Sequence, residues 1–386
     1  MNTTPHRRSF VVLGGVGAIG RVAVRDLFES HKHNHILIAD FDEKKAQAYA
    51  GSFRSGRVQA AFADARKPHD LAKLLSSSSV VVNCTQHDFN LHVMKAALIA
   101  RIHYVDLGGL FHWTRRQLKL NHQFKDAGLT ALLGMGCAPG ITNVMARYAS
   151  GGLRNLQSIK IRVGSIDCNA KPGAFYFPYS AQTVVEELTL APWIFQEGKF
   201  RRIRPRTGWE LVAFPAPVGE VWTVRTRHSE IATLPPSFRA KNLRHCDFKV
   251  SFDRHFVKEL VRRLRSGWSV KQLAALPAPR AEPNDYEVAR VIVTGRQDSN
   301  SERCMVTMDC CASANADWHA SAGDVDTGRP LSVAAQMIAT GTVAQRGVLP
   351  PESAVPAEDF FDEMKRRGLK FSLHHSSHLR IRPGEK

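Results

Sequence analysis

The chain opens on a short apolar run, Phe10–Gly15, which passes into Gly15-Val16-Gly17-Ala18-Ile19-Gly20 and then into apolar positions at Val22, Val24, Leu27 and Phe28. That is strand, glycine turn, helix. Further runs of buried strand character follow at His35–Asp40, Val58–Ala63, Val80–Thr85, His103–Leu107 and Thr130–Met135. Helical patterns fall between them around Pro68–Leu75, Asn90–Ala100 and Thr114–Ala127. Strands alternating with crossover helices predict an α/β, doubly wound parallel sheet. After a helix ending over Asn143–Ser150 the pattern changes. A strand is expected at Ile159–Ser165, a helix at Ala181–Leu190, a basic run at Arg201–Arg206, and a hairpin pair at Tyr286–Gly295 and Arg303–Met308 about a polar turn, Gln297–Ser301. Helices follow at Ser332–Thr340 and Glu358–Arg367, the second with Arg366, Arg367 and Gly368 as its stop signal.

The glycine spacing is G-x-G-x-x-G. Gly15 makes the turn, Gly17 lets backbone approach a pyrophosphate and Gly20 lets helix pack on strand, with Ala18 and Ile19 opening the helix whose N–H groups favour negative charge. Asp40 closes the second strand twenty residues after Gly20, where a carboxylate accepts hydrogen bonds from adenosine ribose hydroxyls. A 2′-phosphate there would be repelled by Asp40 and Asp42, so NAD is expected over NADP, with Lys44 and Lys45 the nearest counter-argument. The bland alternative is that Asp40 caps the next helix. Asp64, Asn83 and Asp106 fall at or near carboxyl ends of strands, where open α/β sheets bind ligands. Each has a competing role as turn-former or helix cap.

Composition narrows the class. The 386 residues carry 53 Lys and Arg against 35 Asp and Glu, a net charge of +18, yet only 23% are charged and 44% are apolar. This is a globular composition, large enough for two or three domains. The excess raises the local concentration of anions; without a zinc finger, an aromatic RNA-binding motif or a Lys-rich tail, nucleic acid is not an expected partner. The longest uncharged stretch, between Asp126 and Arg147, contains Gly128, Gly134, Gly136, Pro139 and Gly140 and reads as strand, turn and helix start, so no membrane span is expected. Seven irregularly spaced cysteines without a signal-peptide pattern predict reduced thiols in the cytoplasm. Cys304, Cys310, Cys311 and His319 offer no CxxC pair, and no metal site is predicted.

Several separated segments together resemble the saccharopine dehydrogenase-like family, most closely its lysine 6-dehydrogenase branch. They are GGVGAIG at the start, ILIAD, VVNCTQHDFN from Val81, HYVDLGG from His103, GMGCAPGITN from Gly134, the HSE and TLP pair from His228 and Thr233, and GVLPPE from Gly347. The resemblance implies a Rossmann-type dinucleotide-binding domain over 1–140 and a second mixed α/β domain over 141–325 for substrate binding and homo-oligomer contact. It also implies that 326–386 returns to the first domain. The activity implied is NAD-dependent oxidation at the C–N bond of an amine or amino acid, in the manner of lysine 6-dehydrogenase. Its rivals are NADP-dependent reductive condensation of the saccharopine reductase or carboxynorspermidine synthase kind, and a non-catalytic dinucleotide sensor.

Amine oxidation needs a base, because an alkylammonium with a pKa of about 10.4 must be neutral before hydride leaves its carbon. Asp106, His87 and Cys137 are the catalytic candidates. Asp106 in YVDLGG competes with a turn-forming role, and Cys137 in GCAPG with packing. Substrate contacts are expected from Thr142 and Asn143 at a helix start, from Glu187 toward an ammonium, and from His228 beside Glu230. A structural pair is the competing reading for His228, and a solvated helix face for Glu187.

Overall fold

The computed structural model describes residues 8–171, 173–276, 282–297 and 302–377. The chain enters β1 (Ser9–Leu13) and α1 (Ala18–Ser30), then β2 (His35–Asp40), α2 (Glu43–Ser52), β3 (Val58–Phe62), α3 (Pro68–Leu75), β4 (Val80–Asn83), α4 (Asn90–Ala100), β5 (His103–Asp106), α5 (Phe111–Leu118), α6 (Asn121–Asp126), β6 (Thr130–Leu132) and α7 (Ile141–Ala149). Next come β7 (Asn155–Asp167), α8 (Ala181–Thr189), β8 (Trp193–Gln196), β9 (Lys199–Arg202), β10 (Glu210–Ala213), β11 (Glu220–Arg225), α9 (Glu230–Ser237), β12 (His245–Ser251), α10 (Arg254–Arg265), α11 (Val270–Ala274), β13 (Asp285–Arg296) and β14 (Cys304–Ser313). The last elements are α12 (Ala322–Ala339), β15 (Gly347–Leu349), α13 (Pro351–Ala354), α14 (Ala357–Arg366) and β16 (Lys370–Ser377).

The chain packs as two compact units. The first comprises the described residues up to Ile141 with Asp324–Gly368; the second comprises Thr142–Gly323 and the chain from Leu369. In the first, seven strands pair in the order β15-β6-β5-β4-β1-β2-β3, all in parallel. This is the Rossmann-type fold expected from the alternation. The central strands bury both faces, as the unbroken apolar runs Phe10–Leu13 and Val80–Val82 require. The strand order reverses between β1 and β4, which creates the crevice beyond their carboxyl ends. Asp42 caps α2 by accepting from Lys45 N, so the helix cap that competed for Asp40 belongs to its neighbour.

In the second unit a mixed sheet runs β10-β11-β12-β7-β13-β14-β16, with β8 pairing to β12 and β9. Only β12 and β7 run parallel on that path. α8 and α10 meet over one apolar cluster that includes Val184, Leu188, Phe256 and Leu260. The mixed α/β second domain is therefore present.

Several boundaries differ from the sequence expectation. The helix expected over Thr114–Ala127 is two helices, broken where Lys119 closes α5 and Leu120 opens α6. The strand expected to reach Met135 ends at Leu132. The final segment, expected to return to the first domain throughout, does so as far as Gly368; β16 then joins β14 in the second sheet. Beyond Gln297, the polar turn expected between β13 and β14 lies outside the described residues.

Candidate functional site

In the first unit the carboxyl end of β1 is clamped from both sides. Gly14 N–H donates to Ala39 O at 2.8 Å, and Cys84 N–H donates to Leu13 O at 2.8 Å. Gly14 has φ +76, and a Cβ there would lie 3.0 Å from Cys84 backbone. Gly20 is more constrained, since its Cβ would meet Gly14 O at 2.2 Å. Gly15 packs against Ile38, while Gly17 and Ala18 are exposed at the start of α1. Gly17 is the N-cap and no side chain caps the helix. The space a side chain would fill thus remains open over free helix N–H groups, with Ile19 in the first turn; the cradle fits a pyrophosphate.

Asp40 joins this turn directly. Its Oδ2 accepts from Val16 N at 3.2 Å and its Oδ1 from Asp42 N at 3.0 Å. Sequence reasoning missed the neighbours that complete the surface. Phe41 and Phe62 are 63% and 50% exposed, with ring centroids 5.5 Å apart, and Arg66 lies 5.3 Å over Phe41. Large apolar residues placed just past β2 and at the end of β3 were the available signal. Asp64 holds Arg66 in a bidentate pair at 2.8 Å, and the Arg66 hydrogen bonds pull its carboxyl down to about 2. Asp64 thus acts on Arg66 instead of capping α3, whose N-cap is Lys67.

Asp106 and Asn83 come together, but in the interior. Asp106 is 1% exposed. Its Oδ2 accepts from Tyr104 Oη at 2.7 Å and Gln117 Nε2 at 2.6 Å; its Oδ1 accepts from Gly108 N at 2.8 Å and Gly134 N at 2.7 Å. Burial pushes this carboxyl above the usual range, against the opposing pull of Gly134, Gln117, Tyr104 and Gly108. Asn83 Nδ2 donates to Asn90 Oδ1 at 2.9 Å and Tyr104 Oη at 3.1 Å, while its Oδ1 accepts from Thr85. The sequence reading placed both at the ligand-binding edge of the sheet. Asp106 is occupied by four donors and braces the loops after β5 and β6, and the Asn83 side chain is spent inside the same network.

His87 is buried in a single turn of 3₁₀ helix, reached from β4 through Cys84, Thr85 and Gln86, with Nε2 3.5 Å from Asp88 and its ring 6.1 Å from Trp113. Cys137 is buried in a tightly wound turn. There Gly136 N–H donates to Pro139 O at 2.8 Å, and a Cβ on Gly140 would meet Gly136 O at 2.1 Å.

The second unit assembles a separate polar cluster. His228 Nδ1 is hydrogen bonded to Glu230 Oε2, and its ring stacks on Phe248 at 3.7 Å with an 11° interplanar angle. Its Nε2 faces Glu187 Oε1 at 3.7 Å. Glu187 Oε2 accepts from Tyr179 Oη at 2.7 Å, and Glu230 Oε1 accepts from Thr142 Oγ1 at 3.1 Å. Glu187 and Glu230 are 3% and 0% exposed. Burial opposes a charge on His228, but Glu230 and then Glu187 outweigh it and raise the imidazole above 6.5. Glu187 and His228, placed separately in the sequence reading, are therefore neighbours. Thr142 and Asn143 are fully buried, and their side chains bond Glu230 and Thr233, tying α7 to α9 instead of presenting a helix start to ligand. Tyr179 and the linking role of Glu230 were not legible, because tertiary folding alone brings them to Glu187 and Thr142.

No described helix is long and apolar enough to cross a membrane. Residues 10–132 match the family model described as the saccharopine dehydrogenase NADP binding domain, and residues 136–369 match the saccharopine dehydrogenase C-terminal domain. The chain is similar to carboxyaminopropylagmatine dehydrogenase of Synechocystis sp., 24% identical over 391 residues, covering 93% of this chain and 96% of that one. It is also similar to carboxynorspermidine synthase of Vibrio cholerae, 23% identical with 86% and 85% covered. The apo saccharopine dehydrogenase (L-Glu forming) of Saccharomyces cerevisiae shares the fold, with TM-score 0.74, 15% identity, and 95% of this chain and 100% of that one covered.

Proposed function

Because the chain belongs to the saccharopine dehydrogenase family of oxidoreductases, we propose that it joins a polyamine-like amine to a carboxylate-bearing carbonyl compound by nicotinamide-dependent reduction at the new C–N bond. Both relatives' names denote carboxylated polyamine-like compounds, and the synthase among them favours the condensing direction. It takes the place of the lysine oxidation implied by the sequence resemblance, and lysine with NAD becomes one arm of the test. The observation that carries the amine reading is the buried Glu187–His228–Glu230 arrangement: in a chain of net charge +18, it is an acidic interior site suited to a cation.

The first unit is read as the cofactor unit and the second as the substrate unit. Gly14–Gly20 and the α1 N-terminus would hold the pyrophosphate, Asp40 the adenosine ribose, and Phe41 and Phe62 with Arg66 the adenine face. A bound nicotinamide supplies or receives the hydride at the carbon attached to nitrogen. Asp40 supports NAD, whereas the matched model is described as NADP binding; titration with NADH and NADPH decides, and an at least tenfold preference for NADPH would refute the Asp40 argument. His87 and Cys137 are the titratable groups that the first unit offers to this chemistry. None of the seven cysteines, all among the described residues, is in a disulfide, which supports a cytoplasmic location. Homo-oligomeric assembly is proposed with the family, and sedimentation of the purified chain tests it.

Purified protein with a reduced cofactor, a diamine and an aldehyde or 2-oxo acid should oxidise the cofactor only when both co-substrates are present. Reduction of NAD by lysine alone would favour the deaminating reading instead. Cofactor binding without turnover in either direction would sink the catalytic claim.

A further inference from the structure

The cluster of the second unit has an internal order that its members do not share. Glu230 is fully enclosed, with one oxygen on Thr142 and the other on His228 Nδ1, so the face and tautomer of the imidazole are set from behind. Phe248 stacked on the ring blocks rotation out of that plane. The other ring nitrogen is Nε2, and opposite it stands Glu187 Oε1 at 3.7 Å, a spacing wider than a hydrogen bond. Tyr179 donates its hydroxyl to the other oxygen of Glu187 at 2.7 Å.

Resting on the reading of an amine substrate, we propose that Glu187 and His228 Nε2 form the seat of the substrate's ammonium group. Glu187 holds the cation. His228 Nε2 takes its proton: an N–H bond of the ammonium breaks, the electron pair stays on the amine nitrogen, and the imidazole lone pair forms the new N–H bond. The neutral amine can then attack a carbonyl carbon. Glu230 and Thr142 are positioning residues, holding Nδ1 so that Nε2 is the atom that exchanges protons. The groups facing the ring are Glu230 from the start of α9, Glu187 from α8 and Phe248 from β12. An ammonium arriving at Glu187 offsets one of the two carboxylates that raise the imidazole, so binding lowers it.

The test uses the full chain, 1,3-diaminopropane as the cation and butanoate as a control, with calorimetry and NMR titration of His228. The expected result is that the diamine, and not butanoate, lowers the His228 titration. E187Q should weaken diamine binding by roughly tenfold to a hundredfold, as loss of a charge-assisted hydrogen bond implies, with cofactor affinity unchanged. Y179F leaves the buried groups in place and should retain the His228 response to diamine. E230Q should lower the resting His228 titration, a readout that loss of packing alone would not produce in a folded protein. Diamine binding unchanged in E187Q, or an unmoved His228 titration on saturation, overturns the seat and leaves the amine reading standing. If the unaltered chain binds no amine at all, both fall.

Discussion

Replacing Asp106 by Asn separates an architectural carboxylate from a catalytic one. Asp106→Asn keeps the shape but turns one acceptor oxygen into a donor. The amide oxygen can keep the Gly108 and Gly134 N–H groups on the Oδ1 side. Its NH₂ then faces Tyr104 Oη and Gln117 Nε2, both donors in the native network. Tyr104 already accepts from Asn83 Nδ2 at 3.1 Å, and turning the Gln117 amide would bring its nitrogen to Asn90 Nδ2, which now donates to Gln117 Oε1 at 3.4 Å. The conflict therefore moves through the network without leaving it. At roughly 1–3 kcal/mol for each buried group left unpaired, the cost is about 2–4 kcal/mol. For a unit of this size that lowers the melting temperature by roughly 5–15 °C. Thermal unfolding and steady-state turnover, measured well below the melt, form the assay; turnover should stay within about tenfold and the pH profile should keep its limbs. An unchanged melt combined with a roughly thousandfold loss of turnover would refute the reasoning, because the carboxylate would then be acting on substrate.

Gly140→Ala should destabilise the protein by about 2 kcal/mol or more, since Gly140 has φ +127 and the new Cβ would meet Gly136 O at 2.1 Å; Gly152→Ala, with nothing within 4 Å, serves as the control for urea midpoints. Asp26→Ala removes the buried carboxylate that accepts from Arg367 Nε at 2.8 and 3.0 Å and from Ser332 Oγ at 2.6 Å; because Arg367 keeps its pair with Glu363, the loss should be about 2–3 kcal/mol in the same denaturant series. His228 gives a pH dependence. Its folded value is raised above 6.5, so its contribution is full below that value and is lost as pH rises through the raised value. Urea midpoints between about pH 5 and about pH 8 should show this loss, and a His228→Asn variant should not.

The β1-turn-α1-β2 unit was legible because its constraints are local. The Gly20 position leaves no room for a Cβ, and Asp40 lies where its strand ends. The role of Asp106 was not, because its donors come from Tyr104, Gln117 and Gly134, positions that only folding brings together. α12 begins ten residues before the expected helix. Gly328 and Pro330 lie inside it and read as breakers, yet a Cβ on Gly328 would lie 2.6 Å from Val22, so the glycine serves close packing on α1. α9 was hidden in the same way by Pro235 and Pro236. β16 reads as polar because it is the edge strand of its sheet, with Leu373 51% exposed. Glu187 and His228 were identified singly, and Glu230 connects His228 to Thr142.

The place of β15 in the first sheet sets an order of events during synthesis. β6 is complete at Leu132, but the strand that pairs with it begins at Gly347, roughly 215 positions later. At about 5–20 residues per second, β6 waits roughly 10–40 s on the ribosome as a sheet edge with unpaired backbone groups. Through that interval the nascent cofactor-binding half is an unfinished sheet, while the entire helix-covered second sheet except its last strand is being made. Truncation before Gly347 would therefore damage the part of the protein that was translated first.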